Sequence, residues 1–318
     1  MDGFNFQPHT KYDALIARCE GLPPVRTAVV HPCDASSLQG AIEAGGAGII
    51  LPILVGPAGK IRRVAEDARI DISGLTIVDA PHSHAAAARA VEMVLAGEVA
   101  AIMKGSLHTD EVMAAVVCRS AGIRTVRRVS HVFIMDVPTY PKPLFITDAA
   151  VNIAPTLDEK VDIVANAIEL AQALGVERPK VAILSAVETV TAKIPSTIDA
   201  AALCKMAERG QIKGGTLDGP LAFDNAISRE AALTKGIVSP VAGDADILLV
   251  PDMEAGNMLA KELTFLANAD AAGVVLGARV PIILTSRADS VRARLASCAV
   301  AAIYSHARTV LASGLSAD

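Results

Sequence analysis

The sequence predicts an α/β protein of two domains, and three observations carry that expectation. Short Val/Ile-rich runs alternate with Ala-rich helical patterns, the composition is 52% hydrophobic with 3% aromatic residues and no Trp, and 318 residues exceed what one core usually organises. An interior of Ala, Val, Ile and Leu suits parallel strands covered by helices. The first domain is expected over residues 1–148 with 285–318 returning to it, and the second over 149–284.

Taken in order, an amphipathic helix near Tyr12–Cys19 precedes a buried strand at Arg26–His31, after which Asp34 or Ser36 caps a helix through Glu43. The alternation continues with strand Gly48–Val55, helix Ile61–Ala68, strand Leu75–Asp79, helix His84–Leu95 ended by Gly97, and strand Val99–Met103. Runs of this kind call for parallel strands joined by right-handed crossovers. Between Arg128 and Ala149 the texture changes to two strands, Val129–Asp136 and Leu144–Asp148, flanking Pro138, Pro141 and Pro143 and followed by a crossing between domains.

The second half restarts with helix Asp158–Leu174, strand Lys180–Ser185, helix Ser196–Glu208 and the segment Gly215–Pro220. A helix near Ser228–Lys235, strand Asp246–Val250, helix Glu254–Leu266 and strand Gly273–Gly277 follow. After the apolar run Pro281–Leu284, a helical pattern from Ser290 to Leu311 packs back on the first domain.

A net charge of −5 with few interleaved aromatics gives no footprint for nucleic acid. The local basic stretch Arg124–Arg128 suits either a small phosphorylated ligand or an exposed face. Five scattered cysteines without C-x-x-C spacing argue against a disulfide scaffold or zinc site and for a reducing cytoplasm. Met1–Asn5 has no secretory character, and Gly48–Gly56 is too short to span a bilayer. No phosphate loop, dinucleotide fingerprint or Gly-x-Ser-x-Gly elbow is present.

Ligands of open α/β sheets bind beyond the carboxyl ends of strands, so residues just after each apolar run are the candidates. These are Lys104, Ser106, His108 and Thr109; Ser185; Asp224 in Asp218–Asn225; Asp252, Glu254 and Asn257; and Ser286, Arg287 and Asp289. Ser286 and Arg287 place a hydroxyl and a guanidinium between a strand end and a helix N-terminus, a setting for anion chemistry or a capped surface loop. Asp252 and Glu254 suit a divalent metal or helix capping with Asn257 facing ligand, and Asp224 suits a site or a turn. His31 and His131 read as hydrogen-bonded core residues, and His82 and His84 as a surface pair with divergent side chains.

Together these stretches resemble the phosphate acetyltransferase and phosphate butyryltransferase family. The resemblance rests on Asp218–Ala226, Ser239–Gly243, Ala245–Asn257 and Leu284–Arg287, with Met103–Thr109 and Ser130–Met135 in the first half, and runs from about Ile49 to the end. It implies two α/β domains of the isocitrate and isopropylmalate dehydrogenase type with a cleft between them, a homodimer, and reversible transfer of a short acyl group between coenzyme A and phosphate. By motif match, Ser286 and Arg287 align with the family's serine–arginine pair and Asp224 with its Phe-Asp aspartate. The aspartate that acetyltransferases carry further on falls by counting near Arg292–Ala293, leaving Asp289 as the nearby carboxylate. An arginine expected on the helix after Lys104–Ser106 is replaced by Val112–Ala115, so Lys104, Arg124, Arg127 or Arg128 is left to supply that charge. Coenzyme A and acyl-CoA enter as substrates, with no tightly bound cofactor or metal and no nucleic-acid or membrane partner. A metal- and NAD-dependent dehydrogenase of the same shape, or a non-catalytic acyl-CoA binder, stays open as an alternative.

Overall fold

The computed structural model describes residues 10–284 and 289–315, with side chains through Val310. In chain order the strands are β1 (Val25–Val30), β2 (Ile50–Gly56), β3 (Thr76–Asp79), β4 (Ala101–Lys104), β5 (Ser130–Asp136), β6 (Leu144–Thr147), β7 (Lys180–Leu184), β8 (Thr216–Leu221), β9 (Ile247–Leu249), β10 (Asp270–Leu276) and β11 (Ile282–Ile283). The chain forms two compact units, one of Tyr12–Val129 with Ala272 onward and one of Ser130–Ala271 with the chain up to Lys11.

In the first unit the strand order is β3-β2-β1-β4-β11-β10. The first five run parallel, and β10 is antiparallel to β11. Five of the six β1 residues and six of the seven in β2 are buried, because helices cover this region on both faces and a near-continuous apolar run is the result. Strand β3 lies at the edge and has no fully buried residue. Helix Ala35–Gly46 starts where expected, with the Asp34 carboxylate accepting the Ser37 N–H at 2.7 Å.

The second unit has the order β5-β6-β9-β7-β8, parallel except for the antiparallel β5–β6 pair. Its core gathers Met135, Leu144, Ile146, Leu221, Leu248 and Val250. Helix Leu157–Ala173 opens on a capping box in which Thr156 Oγ1 accepts the Glu159 N–H and the Glu159 carboxylate accepts the Thr156 N–H at 2.9 Å. Helix Pro195–Glu208 begins on proline, whose missing N–H costs nothing at that position.

The division between units falls at 11/12, 129/130 and 271/272. Strand β6 is hydrogen-bonded to β9, which draws the β5–β6 hairpin into the second unit. Strand β11 pairs with β4 and so belongs to the first. Helix Thr109–Val116 carries Val112–Ala115 as the resemblance implied, whereas the short helix Phe223–Ile227 was not anticipated, its five residues being too few for a periodic signal.

Candidate active site

In the first unit, β1 and β4 end side by side, and their carboxyl ends are stitched together by backbone. The Gly105 N–H donates to Val30 O and the Ser106 N–H to His31 O, each at 2.9 Å. His31 Nδ1 lies 3.1 Å from Ser106 O. A Cβ on Gly105 would sit 2.4 Å from Val30 O, so only glycine allows this approach. Half-buried Lys104 and Ser106 therefore lie on one tight turn that leads to exposed His108 and to Thr109, the first residue of helix Thr109–Val116.

Sequence reasoning missed Glu111, which organises the far side of this turn. Its carboxylate accepts the His108 N–H at 3.2 Å and the Ser83 hydroxyl, and lies 3.1 Å from His84 Nδ1. The Ser83 hydrogen bond is the main reason its carboxyl lies below the usual range. His82 and His84 are exposed as expected, but His82 is the N-cap of helix Ser83–Leu95, with Nδ1 accepting the Ala85 N–H at 3.2 Å. Arg128 is exposed on the segment leading to β5.

Thr285, Ser286, Arg287 and Ala288 lie outside the described residues. Asp289 follows, and its carbonyl accepts from Arg294 Nη1 at 2.7 Å. Arg294 is buried at 8% exposure, also donates to Ser36 Oγ at 3.2 Å, and passes over Gly40, where a Cβ would meet its Cδ at 2.9 Å. No sequence signal marked it. At the place where counting had put a carboxylate, Arg292 pairs with Asp13 at 2.9 Å and Ala293 is buried.

In the second unit, Asp224 lies in the first turn of helix Phe223–Ile227 rather than in a turn. Lys235 Nζ stands 3.1 Å from its carboxylate and 2.7 Å from that of Glu188, which also accepts from Asn225 Nδ2. Hydrogen bonds from Lys235 hold both carboxyls below their usual range, and the two carboxylates raise Lys235. Asp224, Ser228, Thr234 and Lys235 line a depression of about 340 Å³. Sequence reasoning named Asp224 but did not connect Glu188 and Lys235 to it, since they lie 36 and 11 residues away.

Asp252 caps helix Met253–Leu266 by accepting the Ala255 N–H at 2.9 Å, the capping alternative for this residue. Asn257 Nδ2 donates to Ala149 O at 3.2 Å. Beside it, buried Asp148 accepts backbone N–H groups from Ala150, Val151 and Asn152 at 3.0–3.1 Å, yet burial still pushes its carboxyl up. Ser185 and Ser196 share a hydroxyl contact of 2.9 Å. His131 is a core residue as expected, but its Nδ1 has no hydrogen-bond partner among the described residues, and burial lowers the ring to about 3.

Residues 82–302 match the family described as phosphate acetyl/butaryl transferase. The chain is 67% identical over 299 residues to the phosphate acetyltransferase of Rhizobium meliloti, covering 94% of this chain and 95% of that one. It is similar to the crystal structure of a branched-chain phosphotransacylase from Enterococcus faecalis V583, with a TM-score of 0.77, 30% identity and coverage of 89% and 99% of the two chains. A 4-hydroxythreonine-4-phosphate dehydrogenase from Klebsiella pneumoniae, 13% identical, aligns with a TM-score of 0.54 over 88% and 99%, and shares the fold.

Proposed function

The chain belongs to the phosphate acetyl/butyryl transferase family, and on that premise we propose that it moves a short acyl group reversibly between coenzyme A and inorganic phosphate, with Ser286 and Arg287 at the reacting centre. The observation that carries the reading is the family match over residues 82–302, which takes in Lys104–Thr109, Arg128, Asp224, Asn257 and Ser286–Asp289.

In the direction of acyl-CoA synthesis, the coenzyme A thiol gives its proton to a base and the thiolate sulfur attacks the carbonyl carbon of the acyl phosphate. The carbon–oxygen bond to phosphate then breaks and phosphate leaves. A thiol near pKa 8.5 needs a base or a positive field for the first step. Arg287 holds the phosphate through a planar two-point fork, and Ser286 donates to the oxyanion that develops on the carbonyl. Asp289 is the carboxylate nearest in sequence to that pair and takes the thiol proton. Asp224, ionised beside Lys235, orients substrate. Lys104, Ser106, His108, Thr109, Arg128 and Asn257 bind the substrates, the cations facing phosphate groups. With both substrates bound together, orientation supplies much of the rate and no acyl-enzyme is required.

We place the enzyme in the cytoplasm as a homodimer without a tightly bound cofactor. Five free cysteines, one of them exposed Cys118, support a reducing compartment. Exposed Met258, Phe265 and Leu266 on one helix support a covered face. Among the described residues no helix is long and apolar enough to cross a membrane.

The test is a free-thiol assay with acetyl-, propionyl- and butyryl-CoA plus phosphate, run on the parent, Ser286→Ala and Arg287→Ala. Phosphate-dependent CoA release by the parent is expected, with losses of about 10²- to 10³-fold in each variant. Absence of release from every acyl-CoA would sink the reading, and parental rates in Arg287→Ala would remove that residue from it.

A further inference from the structure

The second unit holds a cavity that the residues assigned above do not line. About 280 Å³ open at the carboxyl ends of β7 and β9 against helix Met253–Leu266, among Leu184, Phe223, Val250, Ala255 and Leu259, with Ser185 on one wall. Its position is the one at which open α/β sheets receive ligands. Its volume lies just under the ~300 Å³ at which small-molecule pockets usually begin.

The lining selects the chemistry of the occupant. Ser185 supplies the one polar side chain among the described lining residues, and its hydroxyl already faces Ser196 at 2.9 Å. An adenine edge, a pantetheine amide or a phosphate placed here would leave water and find no charged or amide side chain among the described lining residues. A hydrocarbon chain loses nothing and gains contact with aliphatic carbon. The space is on the order of nine waters at about 30 Å³ each, more than one acetyl methyl group fills and enough for several carbons. Phe223 in the wall immediately precedes Asp224 in the chain, the aspartate that lines the depression with Lys235.

We propose that this cavity receives the hydrocarbon end of the acyl group and sets chain-length preference, so that the enzyme accepts linear or branched acyl chains of about four carbons as well as acetyl. This rests on the acyl-transfer reading above. Ala255 and Leu259 lie one turn apart on the same helix wall and are the residues through which the preference is adjusted.

The experiment measures kcat/KM for acetyl-, butyryl-, isobutyryl- and hexanoyl-CoA in the parent, Ala255→Leu and Leu259→Ala. Filling the cavity with Ala255→Leu is expected to lower the butyryl-to-acetyl ratio about tenfold or more, and Leu259→Ala to raise the hexanoyl-to-butyryl ratio by a similar factor, in keeping with what a methylene or two is worth in an apolar pocket. Opposite shifts in two variants cannot come from general loss of fold. If every acyl-CoA changes by one common factor in both variants, the cavity does not hold the chain and the proposal is overturned while acyl transfer stands. A parent that releases CoA from none of the four overturns both.

Discussion

The second unit carries two networks of lysines and carboxylates at opposite ends of the same strands, and they are built differently. At the amino ends, Lys142 Nζ lies 2.6 Å from Asp246 and 3.0 Å from Asp244, Asp246 accepts the backbone N–H of Lys180 at 2.7 Å, and the Asp246 N–H returns to Lys180 O at 2.8 Å. The Tyr140 hydroxyl closes the group on Ala245 O at 2.6 Å. At the carboxyl ends, Glu188, Asp224 and Lys235 join side chain to side chain beside an open depression. The Asp246 side chain is 10% exposed and that of Asp224 53%, so the first network is built into the join between β7 and β9 while the second faces solvent. Charge alone does not mark a site in this fold. The end of the strand and the partner of each carboxylate decide whether it holds backbone or awaits a ligand.

Breaking the amino-end network is expected to have the largest effect. Asp246→Ala strands the Lys180 N–H and leaves Lys142 with one carboxylate, which should cost about 3 kcal/mol in urea unfolding. The kcat of the folded fraction for CoA release should stay within about twofold of the parent. A large loss of kcat at unchanged stability would reverse the comparison.

The same network should show in acid. Burial alone would raise Asp244, but hydrogen bonds and charge from Lys180 and Lys142 outweigh it and hold the carboxyl at about 2. A carboxyl depressed in the folded state stabilises above its unfolded value near 3.9, and that contribution is lost as pH falls toward 2. Between pH 5 and 2, melting of Asp244→Asn should therefore fall less steeply than that of the parent, by on the order of 2 kcal/mol. Parallel curves would show that the carboxylate is not held in this way.

At the carboxyl end the sign of the effects changes from stability to rate. Asp224→Asn keeps the size of the side chain and removes its charge, and is expected to lower kcat/KM for CoA release about tenfold with little change in thermal midpoint. A fall in midpoint with activity intact would class Asp224 with Asp246.

These contrasts show what was legible in the sequence. Alternation of Val/Ile runs with helical patterns, together with caps such as Asp34 and Asp252, gave most elements to within a few residues because those signals are local. The pairing of β6 with β9, separated by about a hundred residues, is not a local property. The turn Lys104–Thr109 was legible because it is contiguous and follows a strand. Glu111 and Lys235 escaped because each acts through a side-chain contact that no spacing announces. Asn257 was expected to face ligand, and its amide donates to Ala149 O, a contact between residues about a hundred positions apart that no spacing announces. Ser286 and Arg287, the strongest motif residues, lie outside the described residues, so their roles stand on the family match.

The smallest expected effect is at Lys235. It is an exposed cation shared by Asp224 and Glu188 and screened by salt. Lys235→Met should leave the thermal midpoint unchanged while releasing the two carboxyls, whose pKa values would rise toward their ordinary range. Both are ionised at neutral pH with or without the lysine, so the difference is confined to acid. If ionised Asp224 serves the reaction, the acid limb of the pH–kcat/KM profile should move to higher pH in Lys235→Met, and by less at high salt. A limb that stays in place would mean that activity does not depend on the charge of Asp224. Loss of stability would mean that the carboxyl-end network, like the amino-end one, supports the fold.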